Sequence, residues 1–388
     1  MRSNTQSKSA RASIEWIFTI LFVLILWIPS AYFLTGKIIQ SPGEATTAAP
    51  SIANNIDLRS YFDHLNRFAD QQFPFRAQAI ARYNWLKHYL LRAPSKQVIV
   101  GKEHWLFYRG DQVFEDLAGE IAMSEQELDN WFHYFEERQR ALAEQGTKYL
   151  LVLVPGKATI HPEKIPTRLA TNPAQTRLDQ VAERHAQGSP LNLYNMKNDL
   201  LGLKSEIDEV YWKFDTHWNG ETRLRATRWL ADRAKELYPS LDTELITQPL
   251  ETFEAANRAC DLIDMLGMRQ NWPSYTMDML RWETPATLRF SQSPLSDMPL
   301  WKDLHAVMHP LVTENSEGSG RLLLIYDSFL RVGGMPLIPS EIPMCFGFER
   351  FIGIWTWVKP ADLQWMVEQE KPDLVIEQRV ERYLHILP

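Results

Sequence analysis

Three short apolar runs constrain this chain most, because none of them alternates. Tyr149-Leu150-Leu151-Val152-Leu153-Val154 stops at Pro155-Gly156, Leu322-Leu323-Leu324-Ile325 follows Arg321, and Leu374-Val375-Ile376 lies between Asp373 and Glu377. A strand with one wet face alternates polar and apolar residues, whereas a continuous run implies burial on both faces. Helical patterns separate these runs. Ser124 with Glu127 three residues on forms a capping box for a helix that runs to about Gln145 and stops at Gly146. Further helices are expected at 174–186, 220–237 and 360–370, the last with proline in its first turn, and Leu191-Asn192-Leu193 reads as one more short strand. Helix-then-buried-strand order predicts an α/β domain built on a parallel sheet covered on both faces.

The 388 residues divide by composition. Residues 16–34 form an uncharged run of 19, almost all apolar, preceded by Arg2, Lys8 and Arg11. At about 1.5 Å per helical residue such a run spans roughly the 30 Å of a bilayer core. The charge bias puts the N-terminus in the cytoplasm and the remaining chain outside. A cleaved signal peptide is the competing reading, since Pro29-Ser30-Ala31 offers small residues. The run continues through Tyr32-Phe33-Leu34, which favours an uncleaved anchor over 1–36. Residues 37–56 are small, polar and proline-containing, a flexible tether. Residues 57–388 form the extracytoplasmic domain. It opens with two helices broken at Phe73-Pro74-Phe75 and a hairpin over 98–108, and holds a long proline-rich excursion at 240–320. The net charge of -7 and the lack of a basic block argue against nucleic acid as a partner. Cys260 and Cys345 would lie in an oxidising compartment, so a disulfide between them is permitted, with two separate buried thiols as the alternative.

Two segments carry chemistry. Asp215-Thr216-His217 puts a carboxylate two residues before an imidazole, just ahead of a helix starting near Asn219. Ser328 follows the 321–325 strand, in Tyr326-Asp327-Ser328-Phe329. Each has an ordinary structural reading, the first as a helix cap and the second as a strand-end cap. Together they supply the Asp, His and Ser that activate a hydroxyl nucleophile. Ligands of parallel sheets bind beyond the carboxyl ends of the strands, where Ser328 is expected. Backbone N–H groups of Asp327-Ser328 would face a carbonyl oxygen there. Lys157 and His161 also follow a strand, and either lines the site or is an ordinary surface residue. Arg350 contacts substrate or, preferably, pairs with a carboxylate. Trp218, Trp272, Trp282 and Trp301 are candidates for stacking on sugar rings, with core packing their ordinary reading. His305 and His309 have the spacing of two metal ligands on one helix face, but Pro310 ends the segment and no acidic third ligand stands out, so no metal is expected.

The wording of several segments is similar to one family. Asp215-Thr216-His217-Trp218-Asn219 resembles the D-x-H-W-T/N signature of the SGNH-hydrolase-like alginate O-acetyltransferases of the AlgJ/AlgX type, and Ile325-Tyr326-Asp327-Ser328-Phe329 resembles their G-D-S-F nucleophile block. Gly101-Lys102-Glu103-His104-Trp105-Leu106-Phe107 resembles G-x-x-x-W-L-F/Y, and the segment from Val154 through Lys157 and Ala158 to Pro162-Glu163 resembles V-P-x-K-A-x-x-x-P-E. Upstream, Phe73-Pro74-Phe75-Arg76 looks family-like as well. The matches stand in family order. The resemblance implies an SGNH-like sheet and a triad of Asp215, His217 and Ser328. It also implies an acetyl-serine intermediate, no soluble cofactor, a polysaccharide acceptor, and a multi-pass membrane acyltransferase that supplies the acetyl group. The chain would be a single-pass inner-membrane protein facing the periplasm, like members without a carbohydrate-binding module. Tyr326 departs from the pattern, standing where the block carries glycine, and is expected to reshape the turn or line the acyl pocket. An acetyl esterase of the same fold, or a non-catalytic polysaccharide-binding scaffold of an export complex, are the alternatives.

Overall fold

The computed structural model describes residues 76–387 except 170–174, 248–250, 257–259, 269–271, 274, 298–309, 331–341 and 356–357, together with Trp16, Thr19, Ile20 and Val23. The expected anchor at 16–34, apart from those named residues, and the tether at 37–56 lie outside the described residues. Among the described residues no helix is long and apolar enough to cross a membrane. The chain divides into two compact units, Met1–Leu86 and Lys87–Pro388. In the first, helix α1 spans Arg76–Asn84, and the expected break at Phe73-Pro74-Phe75 lies outside the described residues.

The second unit opens with the expected hairpin. Strands β1 (Val98–Val100) and β2 (Leu106–Tyr108) pair antiparallel, Val98 opposite Tyr108. Gly101 in its turn has no room for a side chain, which would strike the main-chain oxygen of Lys164. After α2 (Val113–Leu117) comes α3 (Glu125–Glu144), started by the Ser124–Glu127 capping box and ended at Gly146, whose φ of +81° suits glycine. Strand β3 (Lys148–Val154) leads into α4 (Lys157–Ile160). Helix α5 (Arg177–Ala186) begins later than the sequence suggests, because Thr176 and Asp179 form a second capping box. Strand β4 (Leu193–Asn195) and α6 (Lys197–Lys204) follow, β4 two residues beyond the start of its apolar run. Asn219 caps α7 (Gly220–Leu237) by accepting from Thr222 N at 2.8 Å.

The 240–320 segment is more than an excursion. It carries α8 (Glu244–Thr247), the antiparallel pair β5 (Glu251–Ala256) and β6 (Thr276–Arg281), and α9 (Asp261–Met265) between them. It also supplies β7 (Leu288–Phe290) and β8 (Leu311–Asn315) to the main sheet. Strands β9 (Arg321–Tyr326), β10 (Arg350–Trp355) and β11 (Leu374–Val380), with α10 (Pro360–Glu370) before the last, complete the fold.

The main sheet has seven strands in the order β4-β3-β11-β9-β10-β8-β7. The first five run parallel, as predicted, and β8 and β7 add an antiparallel edge that the apolar runs did not announce. Alternate residues of β9 enter two separate cores, Leu322, Leu324 and Tyr326 on one face and Leu323 and Ile325 on the other. Burial on both faces is the reason the run does not alternate. The carboxyl ends of β3, β11 and β9 share one edge, with Val380 opposite Val154 and Glu377 opposite Ile325.

Candidate active site

The Asp215–His217 turn is built by short-range hydrogen bonds. An isolated bridge joins Tyr211 to Trp218, and Trp212 N donates to His217 O at 3.1 Å. Inside this turn Asp215 Oδ1 accepts from His217 N at 3.0 Å and lies 2.6 Å from His217 Nδ1. The same bond fixes which ring nitrogen faces outward. His217 Nε2 is buried and has no hydrogen-bond partner among the described residues. Burial works against the imidazolium, but the Asp215 carboxylate outweighs it and raises the His217 pKa above its ordinary value. Burial likewise opposes the charge on Asp215, yet the neighbouring His217 and two main-chain donors hold its pKa below the usual carboxylate value.

Two residues distant in sequence support this turn. Asp261, the first residue of α9, donates its N–H to Asp215 Oδ2 at 3.0 Å and accepts Thr216 N at 2.9 Å. Its side chain also bonds Thr216 Oγ1 and lies 3.8 Å from His217 Nδ1. Burial and the charge of Asp215 push the Asp261 pKa up. No motif marks Asp261 in the sequence; the signal is a single aspartate after Cys260. Ligand atoms of Asp215, His217 and Asp261 lie within 4.8 Å of one another, close enough for a metal ion, but mutual hydrogen bonds already engage them. Lys157, expected to face substrate, is instead buried. Its ammonium contacts the carbonyls of Leu106, Trp212, Lys213 and Asp215 at 2.7, 2.7, 2.8 and 3.0 Å, so it anchors the turn from beneath. Burial draws its pKa down to about 7.

Ser328 follows β9 at the expected edge and is half-buried. Asp327 shapes its turn. One carboxylate oxygen of Asp327 accepts Phe329 N at 2.9 Å and the other accepts Val380 N at 2.8 Å. The Phe329 ring packs on His217 with centroids 5.1 Å apart and edge-on to Trp218 at 5.3 Å; among the described residues no hydrogen bond joins Ser328 to His217 Nε2. Asp327 N donates to Gln378 Oε1 at 3.0 Å, so this amide is not an open oxyanion donor.

The other expected residues lie elsewhere. Tyr326 is fully buried, its ring edge-on to Trp355 at 6.0 Å, and does not line an open pocket. Trp218, Trp272 and Trp282 are buried core residues rather than exposed stacking platforms. Arg350 pairs with Glu370 at 2.6 Å and Glu314 at 2.6 Å, opposite Arg321 at the amino end of the sheet, far from Ser328. His161 is buried with Nε2 3.3 Å from Val210 N, and burial lowers its pKa to about 4. Cys260 and Cys345 are separately buried and form no disulfide, since β5–β6 holds Cys260 against Met277 while Cys345 lies in the turn before β10. Trp301, His305 and His309 lie outside the described residues.

A small cavity of about 30 Å³, room for one water, adjoins the dyad, with Thr216, Thr159, Glu381 and Arg382 among its walls. Burial lifts the Glu381 carboxyl to about 7.

Residues 98–296 match the family described as SGNH hydrolase-like domain, acetyltransferase AlgX. The chain belongs to this family. Asp215 and His217 lie within the matched stretch and Ser328 beyond it. The probable alginate O-acetylase AlgJ of Pseudomonas syringae pv. tomato is 25% identical over 246 residues, covering 62% of this chain and 58% of that protein. Its namesake from Pseudomonas aeruginosa is 29% identical over 187 residues, 46% of this chain and 42% of that one. The chain thus spans about half the length of the curated relatives it matches. The structure of Bacillus cereus PatB1 with a sulfonyl adduct superposes with a TM-score of 0.50 at 12% identity, over 74% of this chain and 94% of that one, a likeness of fold.

Proposed function

We propose that this member of the AlgX family transfers acetyl groups to hydroxyls of an exported polysaccharide through an acetyl-serine intermediate. The observation that carries the reading is His217, fixed at Nδ1 by Asp215 while Nε2 is buried without a hydrogen-bond partner among the described residues. An imidazole fixed at one nitrogen and open at the other is suited to take a proton from a hydroxyl.

Ser328 Oγ gives its proton to His217 Nε2 and bonds to the carbonyl carbon of an acetyl ester. The tetrahedral adduct collapses, the C–O bond to the donor breaks, and the leaving oxygen takes the proton from His217. In the second half an acceptor hydroxyl gives its proton to His217 and attacks the acetyl-serine. Ser328 then leaves and recovers the proton. Asp215 holds the tautomer and stabilises the imidazolium in both halves. The relatives named as alginate O-acetylases support an alginate-like acceptor. A membrane-bound multi-pass acyltransferase as donor, and a single-pass anchor that places the domain in the periplasm, belong to the same reading. The run at 16–34 supports the anchor.

The test uses an acetyl-ester reporter with the full-length chain. Ser328→Ala should lower turnover by about 10⁴-fold or more, and mass spectrometry should find acetyl on Ser328 in the unsubstituted protein. Turnover that survives the substitution sinks the triad. Added oligosaccharide should divert acetyl from water to sugar, which separates transfer from ester hydrolysis. A protein with no turnover and no acetyl-serine would instead be a scaffold.

A further inference from the structure

Asp261, 46 residues beyond Asp215 in the chain, meets the dyad with both its main chain and its side chain. Its N–H donates to Asp215 Oδ2 at 3.0 Å, the oxygen that His217 does not use. In return its carboxylate accepts Thr216 N at 2.9 Å through Oδ1 and Thr216 Oγ1 through Oδ2. That second oxygen stands 3.8 Å from His217 Nδ1. The preceding residue is fixed as well. Cys260 Sγ is buried against Met277 Sδ of β6 at 3.4 Å and meets Tyr275 OH. The clasp thus ties the dyad turn to a strand of the β5–β6 pair.

Asp215 and His217 alone leave one freedom. The carboxylate meets the imidazole through a single oxygen, and the torsion of a carboxyl group has only broad preferences of its own. A donor at the second oxygen stops that rotation. The two Thr216 bonds fix the backbone between the paired side chains. Charge adds to geometry, because His217 Nδ1 faces two carboxylates. Burial works most strongly against the imidazolium and Arg382 opposes it too, while Asp215 and then Asp261 favour it. A mere staple needs only the hydrogen bonds, whereas a negative charge beside Nδ1 also favours a proton on that nitrogen. We propose that Asp261 is a positioning residue for acetyl transfer, which locks the Asp215 carboxylate against His217 Nδ1 and so keeps the tautomer that leaves Nε2 open. This role rests on the transferase reading above.

Three substitutions in the full-length chain separate the parts of the clasp. Asp261→Asn keeps the N–H and an oxygen for Thr216 N but removes the charge. Asp261→Ala keeps only the N–H. Asp261→Pro removes that as well. Proline is tolerated at the first residue of a helix, and Cys260, with φ -102° and ψ 130°, has the extended backbone that precedes a proline. Turnover of the acetyl-ester reporter is followed against pH, and the His217 pKa is read by NMR of isotope-labelled histidine, assigned with His217→Gln. In Asp261→Asn the kcat/KM inflection and the NMR pKa should both move down, since a charge that favours the imidazolium is gone. Asp261→Ala should lower kcat about tenfold and Asp261→Pro about tenfold more, as one lost hydrogen bond each does, with KM little changed. The proposal is overturned if kcat, inflection and NMR pKa stay where they are in Asp261→Asn, which keeps the hydrogen bonds and decides the matter if the other two variants do not fold. It is overturned equally if the variants lose thermal stability alone while the folded protein keeps its kcat and inflection, the mark of a staple. If the unsubstituted protein shows no turnover, the transferase reading falls and the NMR pKa alone decides: a value lowered in Asp261→Asn upholds the hold on His217, and an unmoved one overturns it.

Discussion

His217 is held at one ring nitrogen and open at the other, and that asymmetry makes its pH behaviour testable. A general base works in its neutral form. Burial disfavours the imidazolium, while Asp215 and, more weakly, Asp261 favour it, with the raised pKa as the net result. Turnover should therefore rise as pH climbs through an inflection above the ordinary imidazole value of about 6.5. Asp215→Asn removes the main stabilising charge and leaves burial unopposed at that bond. The inflection in kcat/KM should move down, and kcat should fall by about 10⁴-fold through the wrong tautomer. A pH–rate profile with the inflection unmoved would take the base role away from His217. Tyr326 raises a different question at this scale, since a bulky ring stands where the resembling block has glycine. Gly353 on the neighbouring strand answers it. A Cβ there would lie 3.2 Å from the Tyr326 ring, so the small residue on β10 leaves the space that the large one on β9 fills. The Tyr326 ring is buried in the core, and Asp327 closes the turn at Ser328 through its own side chain.

Elements position the site through one lysine. Helix α4 begins at the carboxyl end of β3, and Lys157, its first residue, reaches under the 212–215 segment to the carbonyls of Trp212, Lys213 and Asp215. An ammonium offers three donors in a compact group, which suits a bend where carbonyls converge. Lys157→Met keeps the volume and removes the donors. Buried carbonyls left without their donor should then cost about 1–3 kcal/mol of stability each. Urea unfolding of the purified protein would show this. Turnover should fall as well, because Asp215 O is among the contacts. A loss of stability near zero would mean that the segment holds its bend without the lysine. Sequence reasoning placed Lys157 at the correct strand end and still misjudged its direction. Position after a strand is local information, whereas inward or outward depends on what lies beneath.

Across the whole molecule the sheet is pinned by a charge at its centre. Glu377 on β11 is buried. It pairs with Arg138 of α3, takes Tyr149 OH of β3 at 2.8 Å, and takes Arg379 Nε at 2.8 Å. Burial opposes its charge, but Arg138 and Arg379 prevail and hold its pKa down to about 2. A carboxylate depressed in the folded state contributes stability above its unfolded pKa of about 4.3. That contribution is lost as pH falls toward about 2. Glu377→Gln should therefore cost about 3–5 kcal/mol near neutrality, by leaving two guanidinium groups unpaired. It should also flatten the decline in stability between pH 4 and pH 2, as denaturant unfolding at several pH values would show. An unchanged acid limb would assign the decline to other carboxylates. The sequence by itself determined the kinds of elements and much of their limits. Non-alternating runs named the buried strands, Ser124 and Glu127 started α3, Gly146 ended it, and Asn219 started α7. These signals act over two to four residues, within reach of one side chain along its own backbone. The Asp215–His217 pair was legible for the same reason. The tertiary structure decided what meets that pair: Asp261 from α9, Lys157 from below, Phe329 beside Ser328, and the small cavity walled by Glu381 and Arg382. It also decided that Cys260 and Cys345 stay apart and that β7 and β8 close the sheet antiparallel. These outcomes depend on strand order and on which faces pack together, so residues far apart in the chain settle them jointly, and no local pattern carries that information.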